Sequence, residues 1–409
     1  MARPLDDITI LDLTWILAGP YASMILCDLG ADVIKVERPP NGDVARTTGP
    51  YINGWSGYFF SVNRGKRSIG MNLATAEGKE LFLDMVEQVD VVMENFTPGT
   101  MDRLGIGWDV LSARNPKLIM ASTSGFGQTG PYRDRPALDI VVQAMGGVMS
   151  ITGEPGGGPV RPGVSYGDMV AGLYTAIGIL TALHERIKSG LGQAIDISML
   201  DCQVSVLENA IVRTALTGEA PLPLGTRHPS TTPFQAFPTA DGYLVIALSF
   251  GTEDQWTLLL GILGAVELIG DTRFDTGPKR TRNHAELEPL LNAVFRQRTT
   301  ADWLDELQAA GIPSGPINTV PQVMADPQIR HRGMIQEVTH PRVGTVPIAN
   351  TPLRFSRSEA GIKGPPPDMG ADTAAVLEQL LGLGTDDVAA LEARNVVATS
   401  GGPDISRLL

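Results

Sequence analysis

The chain is poor in the residues that build metal sites and disulfide frameworks. Its 409 residues include two cysteines, Cys27 and Cys202, and five histidines. The cysteines sit in apolar surroundings, and His184, His228, His284, His331 and His340 have no metal-ligand spacing, so no metal is expected. Such sparse cysteine usage fits a reducing, cytoplasmic setting. Basic charge is also in deficit. Lys and Arg number 32 against 45 Asp and Glu, a net charge of -13, which argues against nucleic acid and against an anionic membrane surface as partners. No window reaches membrane-spanning length without charge, and the opening Met-Ala-Arg-Pro-Leu-Asp-Asp has no apolar signal core. The first strand-to-helix turn lacks G-x-G-x-x-G. It reads Leu17-Ala18-Gly19-Pro20 instead, so a dinucleotide fingerprint is not supported.

What is present is a soluble enzyme's composition, 43% hydrophobic and 19% charged, in a chain long enough for two domains. Short apolar runs at Ile8 to Leu13, Ala31 to Glu37, Val89 to Glu94 and Lys117 to Ser122 read as strands. Helical stretches, Ala18 to Leu29 and Thr75 to Gln88 among them, alternate with these runs. That order predicts an α/β fold with a parallel sheet covered on both faces. Gly192 to Leu200 adds a half-buried strand. Ala210 to Pro233, rich in Gly, Pro and Thr, reads as a linker, and Thr226 to Gln328 as a smaller α+β domain. Ile348 to Phe355 and helices over Asp372 to Leu381 and Thr385 to Ala393 close the chain.

The stretch around Gly167-Asp168 organises the rest. A loop of turn formers, residues 153–159, precedes it, and an apolar run from Met169 through Ile187 follows. Val170, Leu173, Ile177, Leu180 and Ile187 recur at helical steps, so Asp168 sits where a long helix begins. Position allows two readings: an N-cap, or a carboxylate nucleophile kept ionised by the positive helix end. Arg38, Arg46, Arg64, Lys66 and Arg67 lie after or near the carboxyl ends of strands, where ligands dock in open sheets, and Arg103 follows the third strand. Their convergence on one edge favours a phosphate-bearing ligand, since the guanidinium fork suits phosphate.

Short motifs along nearly the whole chain then carry a resemblance. They include Ala18-Gly19-Pro20, Gly30-Ala31-Asp32-Val33-Ile34-Lys35-Val36-Glu37-Arg38, Glu94-Asn95-Phe96, Arg103-Leu104-Gly105, Gly125-Phe126-Gly127, Gly167-Asp168 and Gly190-Leu191-Gly192-Gln193. In these the chain resembles the class III coenzyme A transferases, the group of formyl-CoA and carnitine CoA-transferases. The resemblance implies an interlocked, ring-like homodimer. Each chain would comprise a large Rossmann-like CoA-binding domain (1–210 and 347–409), linkers at 211–225 and 329–346, and a small α+β domain at 226–328. It implies that Asp168 is the nucleophile, that Arg38, Met71, Asn95, Phe96 and Arg103 hold CoA, and that Leu17 and Ala18 lie beside the reacting centre. CoA would come and go as part of the substrates, with no tightly bound cofactor and a small carboxylic acid as the other partner. Family prevalence suggests succinyl-CoA as donor and a small di- or hydroxy-acid as acceptor.

Two further readings share the fold. α-Methylacyl-CoA racemases need a second acid/base group where this chain has Leu138, which carries no proton, and Asp139 beside it is expected to point elsewhere on its helix. A non-catalytic CoA-binding scaffold would need no carboxylate at Asp168. Some transferases of the family carry Tyr at the position of Leu138 and Gln at that of Leu17. Formyl-CoA transferases carry a Gly-rich flap where Ser249-Phe250-Gly251-Thr252 holds one Gly, so formyl or oxalyl transfer is not expected.

Overall fold

The computed structural model describes residues 2–248 and 253–403. The chain divides into two compact units. One comprises Met1–Val148, Arg161–Ile211 and Gln328–Leu409; the other comprises Met149–Val160 and Val212–Pro327.

The first unit is built on a parallel sheet of β1 (Thr9–Asp12), β2 (Asp32–Glu37), β3 (Arg67–Met71), β4 (Val91–Glu94), β5 (Ile119–Ser124) and β6 (Ala194–Ser198). Its spatial order is 3-2-1-4-5-6, with Val397–Ala398 added antiparallel beside β3. Successive strand residues point to opposite faces. Ile10, Val33, Val91, Ile119 and Ile197 therefore pack on one face, and Leu11, Ile34, Ile69, Val92 and Met120 on the other. Both sets are buried, which is why these strands read as unbroken apolar runs. Full burial of each such side chain contributes roughly 1.5–3 kcal/mol. Helices α1 (Ala18–Asp28) and α5 (Tyr166–Ser189) cover the first face. Helix α2 (Ala76–Val86) and the helices Thr373–Leu381 and Thr385–Ala393 cover the second. Strand order reverses between β1 and β4, and a ligand crevice is expected beyond the carboxyl ends of the strands at that point.

Helix α5 differs from its sequence reading. Of the expected stripe, Leu173, Ile177 and Ile187 are exposed, whereas Val170, Ala171, Thr175, Ala176, Ile179 and Ala182 are buried. Small residues face inward because the backbones come close: a Cβ on Gly172 would lie 2.8 Å from the Ala18 carbonyl oxygen. Helix α5 is long and apolar enough to cross a membrane by length and composition, yet half of that window is buried inside the molecule, and Asp168 stands in its first turn. These are the marks of a core helix.

The second unit holds a three-stranded antiparallel sheet of Phe234–Pro238, Tyr243–Ala247 and Ser314–Pro316. Leu244, Ile246 and Phe237 pack with Trp256 and Leu259 of the helix Glu253–Leu263, Phe295 of His284–Phe295 and Trp303 of Thr300–Ala309. Residues 149–160, read as part of the large domain, cluster with this unit instead. Ala210–Thr217, within the expected linker, is helical. The expected linker 329–346 contributes to a hairpin, Ile335–His340 with Gly344–Ala349. It folds because Val338, Val343 and Ile348 pack against Trp55, Phe59 and Phe60 of the first unit.

Candidate active site

Helix α5 begins at Tyr166 after Ser165, whose side chain makes no capping bond. Asp168 is thus the third residue of the first turn and not the N-cap. The cap comes from elsewhere. Asp139, first residue of α4 (Asp139–Met145), accepts the Gly167 N–H through Oδ1 at 2.8 Å. The same carboxylate accepts from Arg161 Nε at 3.0 Å and Nη2 at 2.8 Å, and from Gln143 Nε2 at 2.8 Å. A Cβ on residue 167 would meet Val142 at 2.8 Å and Asp139 Oδ1 at 3.0 Å, so Gly167 is what lets α4 approach this turn. Asp168, next along, makes no hydrogen bond or ion pair among the described residues. It is half-buried. Burial, and after it the Asp139 carboxylate, push its pKa up to about 7 against the pull of Arg161. The helix end therefore does not keep it firmly ionised, contrary to the sequence expectation. As expected, Asp139 points differently from Leu138: it bonds the Gly167 N–H, and its charge bears on Asp168, while Leu138 is 68% exposed. With its oxygens held by Arg161, Gln143 and the Gly167 N–H, Asp139 is poorly placed to shuttle protons.

A cavity of about 420 Å³ opens at the carboxyl ends of β1, β2 and β3. Its walls include Thr14, Trp15, Arg38, Met71, Phe96 and Leu104. Trp15 meets Phe96 edge to face, ring centroids 5.9 Å apart. From this cavity the loop after β1 runs to Leu17, which is buried in a cluster with Met24 and Val62, and Met169, Tyr21 and Tyr58 pack against that cluster. Asp168 (beside Met169), Asp139 and Asp43 (a wall of the cavity) all bear on Tyr58: its hydroxyl is pushed up to about 12, by burial first and then by these carboxylates. The lone carboxylate and the cavity are thus neighbours across one loop.

Residues 5–373 match the family described as CoA-transferase family III. The chain belongs to that family. Among its relatives are the succinyl-CoA:glutarate CoA-transferase of Mus musculus, 40% identical over 380 residues (93% of this chain, 87% of the relative), and the acetyl-CoA:oxalate CoA-transferase of Acetobacter aceti, 41% identical over 354 residues (86% and 89%). A crystal structure of a CAIB/BAIF family protein from Brucella suis superposes with a TM-score of 0.84 at 42% identity, covering 93% of this chain and all of that one.

In this CoA-transferase the basic residues divide sharply. Arg46 is buried in a fork with Glu37 at 2.8 and 2.7 Å. Arg64 pairs with Asp28 at 2.6 Å, Lys66 with Asp12 at 3.1 Å, and Arg67 with Asp32. Four of the six cations read as an anion-docking edge are therefore paired with carboxylates, three of them buried and Arg67 partly so; Arg38 is exposed on the cavity wall. Adjacent pairing is dense. Lys35 Nζ lies 2.8 Å from Asp43 and donates to the Thr14 carbonyl at 2.7 Å. Burial alone would raise Asp12, but Lys66 and Lys35 hold it well below the carboxylate range. For Lys66 burial wins, lowering it to about 8.

The remaining sequence-predicted residues fall as follows. Met71 and Phe96 line the cavity. Leu17 and Ala18 are buried at the start of α1, on the side of α5. Arg103, at the end of α3 (Thr100–Leu104), donates to Thr100 Oγ1 at 2.7 Å. Asn95 faces the protein backbone, both polar atoms of its side chain bonding Trp15. Residues 249–252 lie outside the described residues. Sequence reasoning passed over Arg133 and Tyr58. Arg133 meets Arg103 at Gly99: a Cβ there would lie 3.1 Å from Arg103 Nη1 and 3.4 Å from Arg133 Nη2, and neither guanidinium has a carboxylate partner among the described residues. No spacing motif announces that pair. Glu94, also pushed up to about 7 by burial, faces a separate cavity with Asp102 and Asp196.

Proposed function

We propose that the enzyme moves CoA from succinyl-CoA to a small di- or hydroxy-acid, with Asp168 as the covalent carrier. The observation that carries this reading is the unpartnered Asp168 carboxylate, in a turn whose capping duty falls to Asp139. Asp168 attacks the donor thioester carbon; the C–S bond breaks, leaving a succinyl-aspartyl anhydride and CoA thiolate. The thiolate attacks the aspartyl carbonyl, succinate departs, and an aspartyl-CoA thioester remains. The acceptor carboxylate attacks that thioester and expels the thiolate. The thiolate then takes the acceptor's acyl carbon and frees Asp168. Each exchange trades one activated carboxyl for another of similar energy, the benefit of covalent catalysis.

The nucleotide end of CoA is assigned to the cavity of Arg38, Met71 and Phe96, with Arg103 and Arg133 available to its phosphates. Its binding energy would steady the reacting end. CoA enters as part of the substrate, and the reaction needs no resident cofactor. Relatives that use succinyl-CoA with glutarate support the donor and the acceptor class. A relative that uses oxalate places that acid in the test panel despite the expectation against it. We extend the family's interlocked homodimer to this chain. The exposed Leu173, Tyr174 and Ile177 on α5 are an apolar surface that a second copy would cover. The unpaired, buried Cys27 and Cys202 suit the cytoplasm.

The test is to trap the carrier. Succinyl-CoA with hydroxylamine or borohydride, followed by peptide mass spectrometry, should place the modification on the peptide containing Asp168. A modified peptide elsewhere, or none while acids are being converted to acyl-CoAs, overturns the reading.

A further inference from the structure

The loop that leaves β1 is held by side chains and not by its own secondary structure. The Thr14 N–H donates to Asp12 Oδ1 at 2.9 Å, and the Thr14 carbonyl accepts from Lys35 Nζ at 2.7 Å. The Trp15 N–H donates to Asn95 Oδ1 at 2.9 Å, and the Trp15 carbonyl accepts from Asn95 Nδ2, also at 2.9 Å. The Ile16 N–H donates to Asp43 Oδ1 at 3.0 Å. Five consecutive backbone groups are thus clamped by four side chains from three neighbouring segments. The clamp holds an unfavourable shape. Ile16 has φ of 66°, the left-handed region, where a β-branched residue is strained. Such a conformation persists only where its surroundings impose it.

Asn95 is the member that spans the reversal of strand order. It follows β4, Trp15 follows β1, and its amide closes a two-bond ring on Trp15 like one more rung of the ladder. What the loop carries explains why its shape matters. Trp15 forms one wall of the cavity with Phe96, and two residues on, Leu17 belongs to the small buried cluster against which Met169, the neighbour of Asp168, also packs. One loop therefore sets both a wall of the cavity and the packing beside the lone carboxylate.

We propose that Asn95 is a positioning residue, acting through the Trp15–Leu17 backbone to align the coenzyme cavity with Asp168, and is not a ligand of the coenzyme. Each of its two polar atoms is committed to the Trp15 backbone by one bond. The proposal rests on the functional reading above and departs from the role that family resemblance gives this side chain.

The experiment compares Asn95→Asp and Asn95→Ser with wild type. Asn95→Asp keeps an acceptor for the Trp15 N–H but sets a carboxylate oxygen against the Trp15 carbonyl. Asn95→Ser removes the ring with a small change of volume, and serves if the first variant unfolds. Three quantities are read: CoA dissociation constant, KM for succinyl-CoA, and rate of single-turnover trapping on Asp168. Misalignment should slow trapping and kcat by about 10- to 100-fold, while the dissociation constant and KM stay within about twofold. A rise of about tenfold or more in the CoA dissociation constant makes Asn95 a ligand and overturns the proposal. Unchanged values throughout also overturn it. Absence of transfer by the wild-type control would instead strike the functional reading.

Discussion

Two acidic neighbourhoods of the first unit differ in one respect. Beneath the carboxyl ends of β1, β2 and β3, Asp12, Glu37 and Asp43 are buried and each is matched by Lys66, Arg46 or Lys35. At the start of α5, Asp139 is matched by Arg161, but the Asp168 carboxylate has no ion-pair or hydrogen-bond partner among the described residues. Desolvation acts on both places. Where a cation sits within bonding distance the carboxylate stays ionised, as for Asp12 and Glu37. Where the nearest charge is another carboxylate, the pKa rises. Pairing marks the groups that hold loops in place, and its lack sets apart the group we propose as the nucleophile.

The strongest way to break this comparison is to remove the free group. Asp168→Ala and Asp168→Asn should each cut transfer by about 10⁴-fold or more, the scale seen when a covalent nucleophile is lost. Substantial turnover in both, measured as new acyl-CoA, would make Asp168 an ordinary surface acid. Next comes the paired side. Lys66→Met strands Asp12 in the interior and should lower unfolding stability by about 3–5 kcal/mol, read from a denaturant midpoint. A loss below about 1 kcal/mol would show the pair to be dispensable.

The third test is pH. Asp168 must be ionised to attack, so kcat/KM should fall about tenfold per pH unit below its pKa, or about 100-fold at pH 5. Glu94→Gln serves as control and should leave the profile in place. A profile that is flat from pH 5 to 8 would contradict the raised pKa. Arg38→Ala should then raise KM for the CoA ester by about 10- to 100-fold, the worth of a charge-assisted phosphate contact. KM for the free acid should hardly move. An equal rise in both would relocate the phosphates.

The last test concerns stability. Since burial raises Asp168 from 3.8 to about 7, the folded chain binds the proton more tightly than the unfolded chain. That contribution is complete below about pH 4 and is lost as pH rises through 7. Asp168→Asn cannot lose it. Relative to wild type the variant should gain stability between pH 4 and 8, by about 1.4 kcal/mol for each pH unit by which the pKa is raised. Melting curves at the two pH values would show it; an equal offset at both would dissociate the shift from Asp168.

Sequence carried the sheet well because burial on both faces leaves unbroken apolar runs. The first strand, read at Ile8 to Leu13, spans Thr9–Asp12. The position of Asp168 in the first turn of a long helix was legible from the apolar run that follows it. Ion pairing was not. Glu37 and Arg46 are close in sequence, but Asp28 with Arg64 and Asp12 with Lys66 are joined only by the packing of distant segments. The Asp139–Gly167 cap spans 28 residues and has no local signature. The stripe on α5 misled for a related reason. Periodicity finds the large apolar residues, whereas this helix buries its small ones.

Those small residues give α5 a mechanical stop. At Gly172 the backbones of α1 and α5 meet with no methyl group between them. Asp168 lies four residues earlier, about 6 Å along the same rigid axis. A helix is a stiff lever, so a displacement at the stop is carried almost undiminished to its end. Misplacement by about 1 Å can cost a hundredfold in rate. If Asp168 is the carrier we propose, its working tolerance is set by a hydrogen atom on Gly172, a residue outside the chemistry.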